Sequence, residues 1–164
     1  MPDRPVRTLD DIDRQIVALL QQDGRLPLND VAARVGVARS TAYTRFDRLR
    51  AEGVLTGFTA TVDPAALGYS TAALILVNVD QRAWRSVREH LSALPGVEYV
   101  AATSGAFDFV VLVRVADVAA LRDVVLGRLH ALPEVRATQT VLVLDELHRP
   151  VAPAPARRFD HRTV

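Results

Sequence analysis

The second half of the chain repeats itself, and this repeat restricts the fold more than any other feature. Leu94-Pro95-Gly96-Val97 returns as Leu132-Pro133-Glu134-Val135, 38 residues later. A helical pattern precedes each copy: Val87, Leu91 and Leu94, then Val125, Leu129 and Leu132. A β-rich run precedes each helix, over 72–79 and 107–115, and another follows each turn, over 97–103 and 135–144. Self-similarity of this kind marks a duplicated supersecondary unit. The order β-α-β-β-α-β predicts a ferredoxin-like αβ-sandwich: a four-stranded antiparallel sheet with two helices on one face.

The same strands predict a partner. In the first run Leu74, Leu76 and Asn78 alternate with Ile75, Val77 and Val79, so both faces are mostly apolar, and residues 110–113 likewise leave little polar alternation. Two helices cover only one face of a sheet. The other must be buried by something else, most simply the sheet of a second copy. A sheet-to-sheet homodimer follows.

The first half reads as helices. Leu9, Ile12, Ile16, Leu19 and Leu20 fall at helical spacing behind the acids Asp10, Asp11 and Asp13, up to Asp23-Gly24. Pro27 suits the first turn of a second helix, with Leu28, Val31, Ala32 and Val35 on one face and Gly36 at its end. A third helix spans 39–52, with Ala42, Phe46 and Leu49 inward and Gly53 beyond it. VLTGFTATVD then predicts a strand–turn–strand bent at Gly57.

Short helices around a tight glycine turn suggest a winged helix-turn-helix; an ordinary helical bundle is the alternative. The outward side of the third helix favours the former. It carries Arg39, Ser40, Thr41, Tyr43, Thr44, Arg45 and Arg48, against only Asp47 and Glu52. These residue types suit phosphate and base-edge contacts on double-stranded DNA. Arg45 and Arg48 are expected to anchor the phosphates. Tyr43 is open to a packing role at the domain edge.

Composition narrows the class without naming it. The net charge is only +1, but every Lys-or-Arg position is Arg, so each basic contact has a planar, bidentate donor. There is no cysteine, and His90, His130, His148 and His161 are too scattered to suggest a metal. No phosphate loop, dinucleotide fingerprint or nucleophile elbow is present. The expectation is a non-enzyme without cofactor or metal. No apolar run reaches the roughly 18 residues that span a membrane, and the acidic, proline-containing start is not a signal peptide. This predicts a soluble cytoplasmic protein. The domains are read as 1–62, 63–148 and a Pro- and Arg-rich tail, 149–164, expected to be disordered.

LDDIDRQIVALLQQDGR, VAARVGV, RFDRLRAEGVLTGFTATVDPAALG and TSGAFDF, taken together, resemble the Lrp/AsnC (feast/famine) family over about residues 8–148. The resemblance implies an α+β chain in which a helix-turn-helix is followed by the family's ligand-binding (RAM) sandwich. It also implies an amino-acid-responsive transcription factor whose dimers assemble into tetramers or octamers. The effector would lie between dimers, near the loop Ser104–Asp108. Within that loop Gly105 is either a plain hairpin glycine or a point of ligand approach, and Asp108 either meets an effector's amino group or caps the turn. Thr138, Gln139 and Thr140 form a polar patch expected beside the loop. The chain departs from the family pattern at three places. Ala38 stands where a serine cap is common, leaving Ser40 as an alternative helix start; Ala106 replaces a polar loop residue; Pro27 stands at the second helix's cap. An architectural, nucleoid-like DNA binder without effector is the competing function.

Overall fold

The computed structural model describes residues 9–147. The tail, with His148 and His161, lies outside them. The described residues divide into two compact units, 9–60 and 61–147.

The first unit is three helices. α1 (Asp11–Gln22) opens where the Asp10 carboxylate accepts the Asp13 N–H at 2.8 Å, a side-chain cap. α2 (Leu28–Val35) begins after Pro27, without a side-chain cap, and stops at Gly36, whose φ of 76° only glycine adopts freely. α3 (Arg39–Ala51) follows Ala38, also without a side-chain cap. Ser40 does not take over as the start; its carbonyl accepts the Thr44 hydroxyl inside the helix. Ile16, Val31 and Leu49 are fully buried where the helices meet.

The expected strand–turn–strand after α3 is a correction. Residues 56–63 form no strand. A lone hairpin is marginal in water, and this unit offers no other strand to pair with it. Phe58 instead stacks on Phe46, ring centres 6.3 Å apart, and lies against Gly24. Among the described residues the helix-turn-helix therefore has no wing.

The second unit is the predicted sandwich. β1 (Thr71–Val79), α4 (Trp84–Ala93), β2 (Val97–Ala102), β3 (Phe109–Val115), α5 (Val118–Arg122) and β4 (Val135–Val143) follow in order, and the sheet runs β2-β3-β1-β4, all antiparallel. The second helix of the repeat differs from the first: beyond α5 it continues as a π-helix over Asp123–Leu129. Leu94 and Leu132 fall just past their helices, in the turns.

Strand alternation sorts the sheet into two faces. Ala73, Ile75 and Val77 of β1 and Phe109, Val111 and Val113 of β3 are fully buried against Val87, Leu91 and Leu129 of the helical layer. Trp84 adds a tilted ring contact to Phe109 at 5.2 Å. Full burial of each such side chain contributes about 1.5–3 kcal/mol. On the opposite face Leu74 sits between Leu112 and Val141, and Leu76 between Val110 and Gln139. The helices leave this face open: Val141 is 43% exposed, and Tyr99, opposite Leu112, is 56% exposed.

Gly96 is required where it stands. Its φ is 78°, its carbonyl accepts the Arg114 N–H at 2.7 Å, and an added Cβ would lie 2.2 Å from the Arg114 carbonyl oxygen. Gly96→Ala should therefore destabilise this unit by at least about 2 kcal/mol, read as a lower urea midpoint at unchanged slope.

Candidate nucleic-acid interface and ligand cleft

The surface of α3 does not divide as its sequence suggests. Arg39, Ser40, Tyr43 and Thr44 are exposed and Thr41 is half-buried. Arg39 makes no hydrogen bond or ion pair among the described residues, and Tyr43 is 46% exposed rather than packed. The first two turns thus present a polar strip with a free guanidinium at its start, the end of a recognition helix that contacts base edges in helix-turn-helix proteins.

Arg45 and Arg48 are a correction. Both guanidinium groups point back at α1. Arg45 reaches Asp10 at 2.5 Å and Asp13 at 2.8 Å, and one nitrogen of Arg48 lies 2.7 Å from each oxygen of Asp13. The Asp13 side chain is only 5% exposed, and the two arginines supply its hydrogen-bond donors. These two arginines fasten α3 onto α1. The helical period shows which side a residue occupies, and Asp13 occupies the same side from the other helix.

The Arg45 guanidinium, by hydrogen bonding, holds the Asp10 carboxyl below its ordinary value; the Asp13 N–H adds to this. A lowered folded-state pKa contributes stability that is fully present above the ordinary carboxylate value and lost as pH falls through the lowered one. Acid titration of stability, followed by helix circular dichroism, should show that loss, and Asp10→Asn should remove its share of it.

The second unit carries a cleft of 570 Å³ at one end of the sheet. Asn78, Val79 and Asp80 line it from the end of β1, with Arg82 just beyond; Gly105, Ala106 and Asp108 line it from the loop between β2 and β3. β4 contributes Arg136 and Ala137. A bulge in the β1–β4 ladder at Asn78/Val79 turns the Val79 N–H aside, and Asp108 accepts it at 2.9 Å. The Asp108 backbone extends the ladder, its N–H bonding the Val77 carbonyl at 3.0 Å. One carboxylate oxygen of Asp108 therefore caps the strand end. Gly105 has a φ of 147° with open space around it.

The structure brings together only part of the expected set. Gly105, Ala106 and Asp108 share the cleft; Ser104 is exposed in the same loop but not in the lining. Thr138, Gln139 and Thr140 are not beside it, a second correction. β1 stands between β4 and β3, and alternation separates the three. Thr138 and Thr140 pair with the inward residues Val77 and Ile75, and the Thr138 hydroxyl meets His130 Nε2 at 2.8 Å; Gln139 pairs with Leu76 on the open face. Sequence reading missed Asp80, Arg82 and Arg136. Asp80 accepts the Arg82 N–H and the Arg136 guanidinium, each at 3.0 Å.

Comparison with known proteins agrees with both halves. An AsnC-type helix-turn-helix domain model matches residues 9–50, and an Lrp/AsnC ligand binding domain model matches residues 72–152. The HTH-type transcriptional regulator FL11 of Pyrococcus horikoshii is 37% identical over 149 residues, covering 91% of this chain and 97% of that one. The structure of Escherichia coli AsnC superimposes with a TM-score of 0.83 at 25% identity, over 90% of this chain and all of that one. A feast or famine regulatory protein of Mycobacterium tuberculosis, complexed with L-methionine, gives a TM-score of 0.77 at 32% identity over 88% and 99% of the two chains.

Proposed function

Because the chain belongs to the Lrp/AsnC family of transcription regulators, we propose that it binds specific DNA sites as a homodimer and adjusts that binding to an amino acid. The observation that carries the DNA reading is the exposed strip Arg39, Ser40, Tyr43 and Thr44, held by a helix whose Arg45 and Arg48 are tied to α1. In this reading residues 9–60 dock α3 in the major groove, and residues 61–147 dimerise and sense the effector. A two-fold dimer presents two such helices and reads a pseudo-palindrome with half-sites one or more helical turns apart.

The open face of the sheet supports the dimer. Leu74, Leu76, Val110 and Leu112 form an apolar field there with exposed Tyr99 and Val141 at its sides. Large exposed apolar fields mark protein interfaces, and the sheet of a second copy would cover it. Association of dimers into tetramers or octamers would add avidity on DNA by raising effective concentration. An amino acid held in the cleft changes the assembly only to the extent that it prefers one state.

Arg39→Ala should weaken binding to the specific site about ten-fold or more with folding unchanged, measured by titration of labelled duplex against random competitor. Equal affinity for specific and random duplex would overturn the sequence-specific reading. Leu74→Asp places a charge in the middle of the open face, and sedimentation should then show monomers. A variant that still dimerises would move the interface elsewhere.

A further inference from the structure

The donors and acceptors of the cleft are unequal in number, and the imbalance bears on what it holds. Both oxygens of Asp80 are committed, one to the Arg82 N–H and one to Arg136. Asp108 has given one oxygen to Val79 and keeps the other. Nothing among the described residues engages the Arg82 guanidinium, and a single nitrogen of Arg136 is used. The backbone N–H groups of Gly105 and Ala106 are also without partners among the described residues. Two sets of donors therefore remain, the loop amides and the arginine pair, beside one carboxylate oxygen.

An α-amino acid uses the loop amides for its carboxylate and the Asp108 oxygen for its ammonium group. The arginine pair is then left for the side chain. The apolar lining that the described residues of one chain supply is small, Val79, Ala106 and Ala137, and by itself offers little to a long aliphatic chain. Such a chain offers these exposed guanidinium groups no hydrogen-bond acceptor. A carboxylate accepts from the guanidinium fork in two parallel bonds.

We propose that the effector is an α-amino acid with a side-chain carboxylate, and that Arg82 and Arg136 read that carboxylate. The inference rests on the cleft being the effector site. Asp80 holds the Arg136 guanidinium at 3.0 Å and fixes the Arg82 backbone through its N–H; these two bonds, that of the Arg82 N–H first, hold the Asp80 carboxyl below the ordinary range.

Isothermal titration of the full chain with L-glutamate, L-aspartate, L-glutamine, L-leucine and L-methionine tests it. At least one acidic amino acid should bind about ten-fold or more tighter than glutamine, leucine or methionine, with an affinity that falls as salt rises. Arg82→Gln should remove that preference and leave the weak glutamine binding unchanged, circular dichroism confirming the fold. Leucine or methionine binding as tightly as glutamate overturns the inference and leaves an amino-acid-responsive regulator standing. An acidic preference that survives both Arg82→Gln and Arg136→Gln overturns the assignment of these arginines. Binding of none of the five overturns the amino-acid response itself.

Discussion

β1 is the constraint on which the second unit depends. It is one of the two inner strands of the sheet, paired with β3 on one side and β4 on the other. Its inward residues Ala73, Ile75 and Val77 are the floor on which the helices pack. Its outward residues Leu74 and Leu76 are the middle of the open face. Its last residues, Asn78 and Val79, with Asp80 just beyond, are a wall of the cleft. Core, interface and binding site are three consequences of one nine-residue strand. Period-2 alternation assigns the first two to opposite faces; the bulge at its end supplies the third.

The parts of the fold legible in the sequence are those written in local periodicity. The duplicated turn and its flanking patterns yield the strand order and the helical layer, because each copy must bury an apolar face and only one antiparallel arrangement accommodates both. The helix-turn-helix is legible for the same reason, with Gly36 and Gly53 at the positions where left-handed backbone is needed. The failures are non-local. A helix wheel places Arg45 and Arg48 outward, and nothing within α3 reveals that Asp10 and Asp13 lie opposite. The wing fails because a lone hairpin is marginal and the described residues of its unit form no further strand to support it.

The cleft was only half legible for a related reason. The loop 104–108 is a contiguous word in the sequence, so its residues can be suspected together. Arg82 and Arg136 lie far apart along the chain and meet through Asp80 at the end of the sheet. One signal was available. Arg136 follows the second copy of the duplicated turn directly, as Glu98 follows the first. A charged residue at the same place in both copies is a mark of use. Glu98 is likewise occupied, pairing with Arg114 at 2.6 Å.

The two copies of that turn have parted company in what they are free to become. In the first, Gly96 is pinned by a carbonyl 2.2 Å from where any side chain would begin, so the position tolerates no drift. In the second, Glu134 occupies the same place without a left-handed backbone, and its carbonyl accepts the Asp80 N–H at 2.9 Å. Duplication left one turn bound to architecture and released its twin to support the cleft. Divergence among related chains should therefore collect at the second copy, where a new residue changes what is recognised without reopening the question of how the sheet is built.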